Sequence, residues 1–424
     1  MVDVWLPYGN TDVCARIPTR NFLGAIEPLS KPGVPDPTAE IKRALRKPFN
    51  SKALTDIVKP EHKVAIVVDD ATRSAPSNLM VPPILDELEG GGVKEEGITV
   101  IFGCGSHKPV SHEEALKLLG EKVLDRVRAV SHDCKSQDLV YLGKTGKHGT
   151  KIHLNRAFAE ADIKILTGDV CYHYYAGYGG GRKSVLPAVC GEETIRHNHA
   201  MLLHSSAEAG VLEGNPVHED MAEAAKLAKV DFILNVVLNK EGEIVQAFAG
   251  DLEQAFFEGV KLIDEMYRIK VDRKAEIVVV SPGGHPADVN LYQAYKAVDA
   301  ALRVVKRGGV IILVAECPQG HGNAAFYEWM NKYEDLKAIR RNIKRNFVLG
   351  GHKAYYLMKA LQEIQIILIS SIPDYYASNV FKLKTARAVN DALHDAFEIV
   401  GKKAKIWAMP YGNFTLPDVR TGRE

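Results

Sequence analysis

VAIVVDD, residues 64–70, sets the fold class: five consecutive apolar residues, most of them β-branched, end at two aspartates. A run with no polar face suits a strand buried on both sides, as in a parallel sheet covered by helices. The same signature returns in ITVIFGCG (98–105), IKILTGDV (163–170) and DFILNVVLN (231–239). It returns again in AEIVVVSPGG (275–284), GGVIILVAEC (308–317), IQIILISS (364–371) and AKIWAMP (404–410). Helical patterns alternate with these runs, so the chain reads as α/β, with two domains that are each a mostly parallel sheet flanked by helices. The charged stretch EQAFFEGVKLIDEMYRIKVDRKAE (253–276) separates the two series and places the domain boundary near residue 270, giving domains 1–270 and 271–424. A length of 424 residues agrees with two cores rather than one. Two domains imply an interdomain cleft, where an active site is expected.

Charge and composition exclude several classes of function. Lys plus Arg number 54 against 53 Asp plus Glu, which leaves no long-range field for nucleic acid or an anionic membrane surface. The six cysteines are scattered, with neither zinc-finger nor disulfide-framework spacing, and read as reduced thiols. No basic leader and no apolar stretch of about 18 residues is found, so a soluble, cytoplasmic protein is expected.

Several of the predicted strands end in polar or glycine-rich turns, where open α/β sheets bind ligands. The densest is GDVCYHYYAGYGGGRKSVLPAVCGEETIRHNHAML (168–202). Its Gly177, Gly179, Gly180 and Gly181 would let backbone N–H groups approach an anion, with Arg182 and Lys183 adding charge. The spacing is neither a Walker A loop nor a dinucleotide fingerprint, and a solvated glycine-rich loop is the bland alternative. His173, His197, His199 and His204 crowd the same segment, which points to a metal or acid–base site. A zinc hydrolase is one generic option, yet no His-Glu-x-x-His helix exists.

VVDDATRSAPSN (67–78) offers Asp70, Thr72 and Arg73 either for an anionic or ribose-bearing ligand or as a helix N-cap. IFGCGSHKPVSHEEA (101–115) sets His107 and Lys108 on a glycine turn, with Ser111 and Glu114 forming a capping box for the next helix. A histidine just past a buried strand is placed for general-base work. In the second domain Gln293 and Lys296 share one helical face after SPGGHP (281–286), as a carboxylate clamp or as a solvent-facing stripe.

Together these residues resemble the nickel-pincer lactate racemases and their homologues acting on other 2-hydroxy acids. The resemblance runs through Asp70-Ala71-Thr72-Arg73, Gly105-Ser106-His107-Lys108-Pro109, His173 with AGYGGGRK, His199 and Tyr292-Gln293-Ala294-Tyr295-Lys296. It implies a racemase or epimerase in which Lys183 carries a covalently bound nickel pincer nucleotide, pyridinium-3,5-bisthiocarboxylic acid mononucleotide nickel. By the same resemblance His199 is the protein ligand to nickel, and His107 and His173 are paired acid–base groups. Arg73, Lys108, Tyr292, Gln293 and Lys296 are implied to bind substrate, and Asp70, Thr72, Gly179, Gly180 and Gly181 to lie at the cofactor. Cofactor-biosynthesis proteins are implied as partners.

The chemistry agrees with those roles: the α-hydrogen of a 2-hydroxycarboxylate is too weakly acidic for histidine to remove, whereas hydride transfer through a 2-keto acid avoids a carbanion beside a carboxylate. Departures from the family pattern concern the substrate. Where lactate-acting members carry a tryptophan, Lys353, Ala354 and Tyr355 occupy the stretch GHKAYYLMK; Tyr172 and Pro187-Ala188 depart from the pattern too. A larger or more polar 2-hydroxy acid, sugar acids among them, is expected. Rival readings are a nicotinamide-dependent 2-hydroxy acid oxidoreductase and a non-catalytic carrier of the nickel cofactor.

Overall fold

A computed structural model describes residues 1–419. The chain forms two compact units, one of Ser30–Glu265 and one of Met1–Leu29 with the chain from Met266 onward.

In the Ser30–Glu265 unit a six-stranded sheet runs in the order Ile244–Gly250, Phe232–Leu238, Ile163–Asp169, Val64–Asp69, Ile98–Gly103, Arg128–Ser131. All neighbours pair parallel except Ile244–Gly250, which returns antiparallel along Phe232–Leu238. The apolar run at 64–68 is explained by two covered faces. Val64, Ile66 and Val68 belong to one core with Met80, Ile84 and Leu88 of the helix Ser77–Gly90 and Ile41 and Leu45 of the helix Pro37–Arg46. Ala65 and Val67, pointing the other way, are fully buried as well. The capping box is present: Ser111 Oγ accepts from the Glu114 N–H, and Glu114 Oε2 accepts from the Ser111 N–H.

The second unit has its own six-stranded sheet, all parallel, in the order Lys384–Thr385, Gln365–Ile369, Val305–Val314, Ala275–Val280, Ile406–Met409, Phe22–Ala25. Val389, Leu393 and Ala396 of the helix Val389–Val400 pack in one core with Ile277, Val279 and Ile312. Leu6, Ala15 and Ile17, from the antiparallel hairpin Val2–Tyr8 and Thr11–Ile17, complete that core. Asp288, fully buried, ties the hairpin turn to the strand-end loops by accepting from the Gly9 N–H at 2.7 Å and the Glu316 N–H at 3.0 Å.

This division differs from domains 1–270 and 271–424. Residues 1–29 belong with the C-terminal unit, and the division falls within the helix Gln254–Tyr267. The reason is that Phe22–Ala25 finds its sheet partner in Ile406–Met409, and Leu6, Ala15 and Ile17 are wholly buried in the C-terminal core. None of the six cysteines is in a disulfide. Among the described residues no helix is long and apolar enough to cross a membrane.

All three tryptophans, Trp5, Trp329 and Trp407, lie in the second unit, so tryptophan fluorescence reports its unfolding alone. Leu6→Ala should lower that unit's stability by about 2–5 kcal/mol, the usual result of emptying a fully buried leucine site, and shift the fluorescence-detected urea midpoint down. An unmoved midpoint would remove the hairpin from that core.

Candidate active site

Three neighbouring strands of the first unit, Ile98–Gly103, Val64–Asp69 and Ile163–Asp169, point their C-terminal ends the same way. Their following loops carry the chemistry, as expected for a parallel sheet.

Asp70, just beyond Val64–Asp69, is buried, with 4% of its surface exposed. Its Oδ1 accepts from the Thr72 N–H at 2.8 Å and the Thr72 hydroxyl at 2.5 Å, a local turn that aims Oδ2 at His107. Nδ1 of His107, on the turn after Ile98–Gly103, lies 2.6 Å from that oxygen. Burial works against the Asp70 carboxylate, but the hydrogen bonds from His107 and Thr72 prevail and hold its pKa below the usual value. An ionised carboxylate only accepts, so the neutral form of His107 carries its proton on Nδ1 and its lone pair on Nε2. This is the arrangement of a base oriented by an acid. Asp70 and Thr72, expected at the cofactor, support His107. They do not cap a helix, since Ser77–Gly90 begins after Pro76 with no side-chain cap. Lys108 is exposed beside His107.

The glycine loop after Ile163–Asp169 is built for close packing. Gly177, Gly180 and Gly181 have φ of 79°, 81° and 53°, the left-handed region that favours glycine. A Cβ on Gly177 would lie 2.2 Å from the Val211 carbonyl oxygen, and one on Gly181 would meet the Phe256 ring at 3.0 Å. The N–H of Gly179 donates to the Cys171 carbonyl at 2.7 Å and that of Gly181 to Asn235 Oδ1 at 2.9 Å. The expected anion cradle of N–H groups is therefore not formed by Gly179 and Gly181, whose donors are already engaged within the fold.

Arg182 also turns inward. It donates to the carbonyls of Ala176 at 2.7 Å and Gly180 at 3.1 Å and to His218 Nδ1 at 2.9 Å, with its guanidinium 4.6 Å from the Phe256 ring centre. Burial and the adjacent guanidinium push the His218 pKa down to about 3, which keeps its ring a neutral acceptor.

Lys183 follows in the short helical turn Gly181–Ser184. Burial, then the charges of Arg73 and Arg182, push its pKa down to about 7, with Cys171 and Asp69 opposing. Near neutral pH much of this lysine is a free amine, hence a nucleophile. Asp69 in turn has its pKa raised by burial and by Asp169, against the pull of Arg73 and Lys183. Arg73 is exposed to solvent within the field of Asp69, Asp70 and Asp169.

The four histidines of 168–204 separate into two pairs. His173 and His199 both pack edge-on against Tyr175, with ring centres 4.4 and 5.3 Å from it. His173 Nδ1 accepts from the Ala176 N–H at 3.2 Å. His199 is buried, with Nδ1 at 3.1 Å from Asn198 Oδ1. His197 and His204 are exposed, and His197 Nδ1 faces the Thr150 hydroxyl at 2.7 Å.

In the second unit the helix Leu291–Leu302, capped by Asn290, presents Tyr292 and Gln293 half-buried and Lys296 exposed. Lys353, buried in the first turn of the helix Gly351–Leu361, sets its Nζ 5.3 Å from the ring centre of Tyr292 and 4.9 Å from that of Tyr295. Burial and Lys296 both push the Lys353 pKa down. The sequence drew notice to Lys353 only within the stretch GHKAYYLMK, and not to its approach to Tyr292 and Tyr295 on another helix.

Residues 8–210 match the lactate racemase N-terminal domain family, and residues 270–415 match the lactate racemase C-terminal domain family. The lactate racemase of Thermoanaerobacterium thermosaccharolyticum is 32% identical over 421 residues, covering 97% of this chain and 98% of that protein. That of Lactiplantibacillus plantarum is 30% identical over 422 residues, covering 97% and 99%. The structure of the T. thermosaccharolyticum lactate racemase apoprotein superposes with a TM-score of 0.92 at 30% identity, over 98% of this chain and all of that one. A Thermotoga maritima protein shares the fold at a TM-score of 0.66 and 21% identity, over 90% of this chain and 98% of its own. With family domains matched in both halves and curated relatives aligned end to end, the chain belongs to the lactate racemase family.

Proposed function

We propose that this protein is a 2-hydroxy acid racemase or epimerase that works with a nickel pincer nucleotide bound through Lys183. The observation that carries the reading is a lysine with its pKa lowered to about 7 at the same sheet edge as a histidine oriented by a buried carboxylate. The residues fit the group. A neutral Lys183 amine is suited to acylation. His199, donating from Nδ1, has an imidazole lone pair on Nε2 for a late transition metal. Among the described residues no three His, Cys, Asp or Glu side chains are grouped to hold a metal ion, so most of the ligands would come from the nucleotide itself. That donor set argues against a zinc hydrolase, which needs about three protein ligands. When bound, the group supplies an electrophilic carbon that takes hydride from the carbinol carbon and returns it.

The chain's own residues do the rest. His107 takes the hydroxyl proton at Nε2, and Asp70 stabilises the imidazolium that results. His173, whose Nδ1 accepts a backbone N–H, carries its proton on Nε2 when neutral and is poised as the complementary acid. Arg73, Lys108, Tyr292, Gln293 and Lys296 are assigned to orient the substrate carboxylate and hydroxyl groups. Lys353, beside Tyr292 in the stretch where a tryptophan was absent, favours a substrate larger or more polar than lactate.

Cofactor loading of the apoprotein, followed by intact mass, should accelerate as pH rises through about 7 and level off above it, because only the neutral amine reacts. Arg73→Leu should move that midpoint upward by removing a cation that favours the neutral form, and Lys183→Ala should take up no adduct. A loading rate indifferent to pH between 6 and 9 would contradict the role of Lys183. His107→Ala and His173→Ala should each lower kcat by about 10²–10⁴-fold with the adduct mass unchanged. Wild-type rates retained in either variant would strip it of an acid–base role. In a panel of 2-hydroxy acids, sugar acids should show higher kcat/KM than lactate, and the opposite order would exclude the substrate assignment.

A further inference from the structure

His199 closes the helix Glu192–Ala200, and its Nδ1 faces the side-chain oxygen of its neighbour Asn198. The direction of that hydrogen bond follows from what holds the amide. Asn198 Nδ2 has two hydrogens, and both are engaged: one goes to the Val217 carbonyl at 3.1 Å, the other to Asp220 Oδ2 at 2.9 Å. An amide held by its nitrogen has only an oxygen to offer on the other side, and that oxygen only accepts. His199 therefore donates from Nδ1.

Asp220 keeps the amide from turning over. It is fully buried on the helix Pro216–Ala228, and its Oδ1 accepts the Thr145 hydroxyl at 2.7 Å. Oδ2 accepts the Thr150 hydroxyl at 2.9 Å besides the Asn198 amide. A flipped Asn198 would set its oxygen against a carboxylate, two acceptors with no hydrogen between them. The threonines are themselves anchored, since the Thr150 N–H donates to Thr145 Oγ1 at 2.9 Å. Every member of the chain from Asp220 through Asn198 to His199 thus has one satisfied orientation, in a buried setting where a half-satisfied network is costly.

We propose that Asn198, held in register by Asp220, is a positioning residue that fixes the tautomer and ring orientation of His199 so that Nε2 is its metal-donor nitrogen. The proposal rests on the reading of His199 as the nickel ligand. It extends that reading to two residues that touch neither the substrate nor the reacting atoms. Imidazole ligands are commonly set in this way by a hydrogen bond at the other ring nitrogen, and losing that partner weakens metal binding by about 10–100-fold.

The test uses the full chain, with Asn198→Leu and Asp220→Asn as variants. In ¹⁵N-histidine-labelled apoprotein, the His199 signals are identified by their loss in His199→Gln. Wild type should show a protonated Nδ1 and a bare Nε2. Asp220→Asn never touches His199, yet it should let the Asn198 amide turn and raise the population of the Nε2–H tautomer, and Asn198→Leu should do the same. In cofactor-loaded protein titrated with a chelator, both variants should hold nickel about 10–100-fold more weakly while the mass still shows the Lys183 adduct. A wild-type His199 protonated on Nε2, or tautomers unchanged in the variants, would overturn the relay. Altered tautomers with undiminished nickel affinity would overturn its metal-positioning role. Should Asn198→Leu fail to fold, Asp220→Asn, which keeps the side-chain volume, and the wild-type spectrum decide the matter. If wild-type protein loads neither adduct nor nickel, the nickel reading itself fails, and the apoprotein spectra still decide the relay.

Discussion

Burying a guanidinium is costly unless its donors are met, and the loop that carries the candidate chemistry is organised around meeting those of Arg182. The carbonyls of Ala176 and Gly180 and the ring of His218 receive its protons, and Phe256 covers its face. To bring those carbonyls inward the chain must pass through the left-handed region at Gly177, Gly180 and Gly181. The same positive charge then acts on the next residue in sequence, since Arg182 contributes to the lowered pKa of Lys183. One buried cation accordingly shapes the loop and, after burial and Arg73, helps to favour the neutral form of the neighbouring lysine.

A second pairing complements it from the adjacent strands. Asp70 is held as a carboxylate by Thr72 and His107, and the order of strands Ile98–Gly103, Val64–Asp69 and Ile163–Asp169 places that pair beside the loop of Lys183. The acidic residues of this edge have opposed fates: Asp70 is stabilised in its charged form, whereas burial and Asp169 favour the protonated form of Asp69. Such divergence between neighbouring carboxyls is common where a site has to hold some charges and avoid others. The lactate racemase N-terminal domain family matches residues 8–210, which include this edge.

Much of the α/β architecture was legible because strands covered on both faces leave continuous apolar runs, as at 64–68 and 277–280, with no competing periodicity. The hairpin Val2–Tyr8 and Thr11–Ile17 was not legible, since its alternating pattern states that one face is buried and says nothing of which core buries it. Candidate residues were legible by type at strand ends. Their partners were not: nothing in 67–78 announces that Asp70 hydrogen-bonds His107, and nothing in 177–181 that Gly179 and Gly181 give their N–H groups to Cys171 and Asn235. Such pairings join residues distant in sequence, and only the register of the sheet brings them together. His197 shows the reverse case, an exposed histidine within the densest motif whose ring faces the buried hydroxyl of Thr150 instead.

The strand Phe22–Ala25 lies at a sheet edge against Ile406–Met409. As the ribosome emits the chain, this early segment must wait for a partner made almost at the end. At about 5–20 residues per second the interval is on the order of 20–80 s. For much of it, until Ile277, Val279 and Ile312 have been made, Leu6 and Ile17 have no core to enter, while the intervening unit can complete its own sheet. The nascent chain therefore has a built-in interval of exposed apolar surface, in which chaperone capture or premature association competes with native closure.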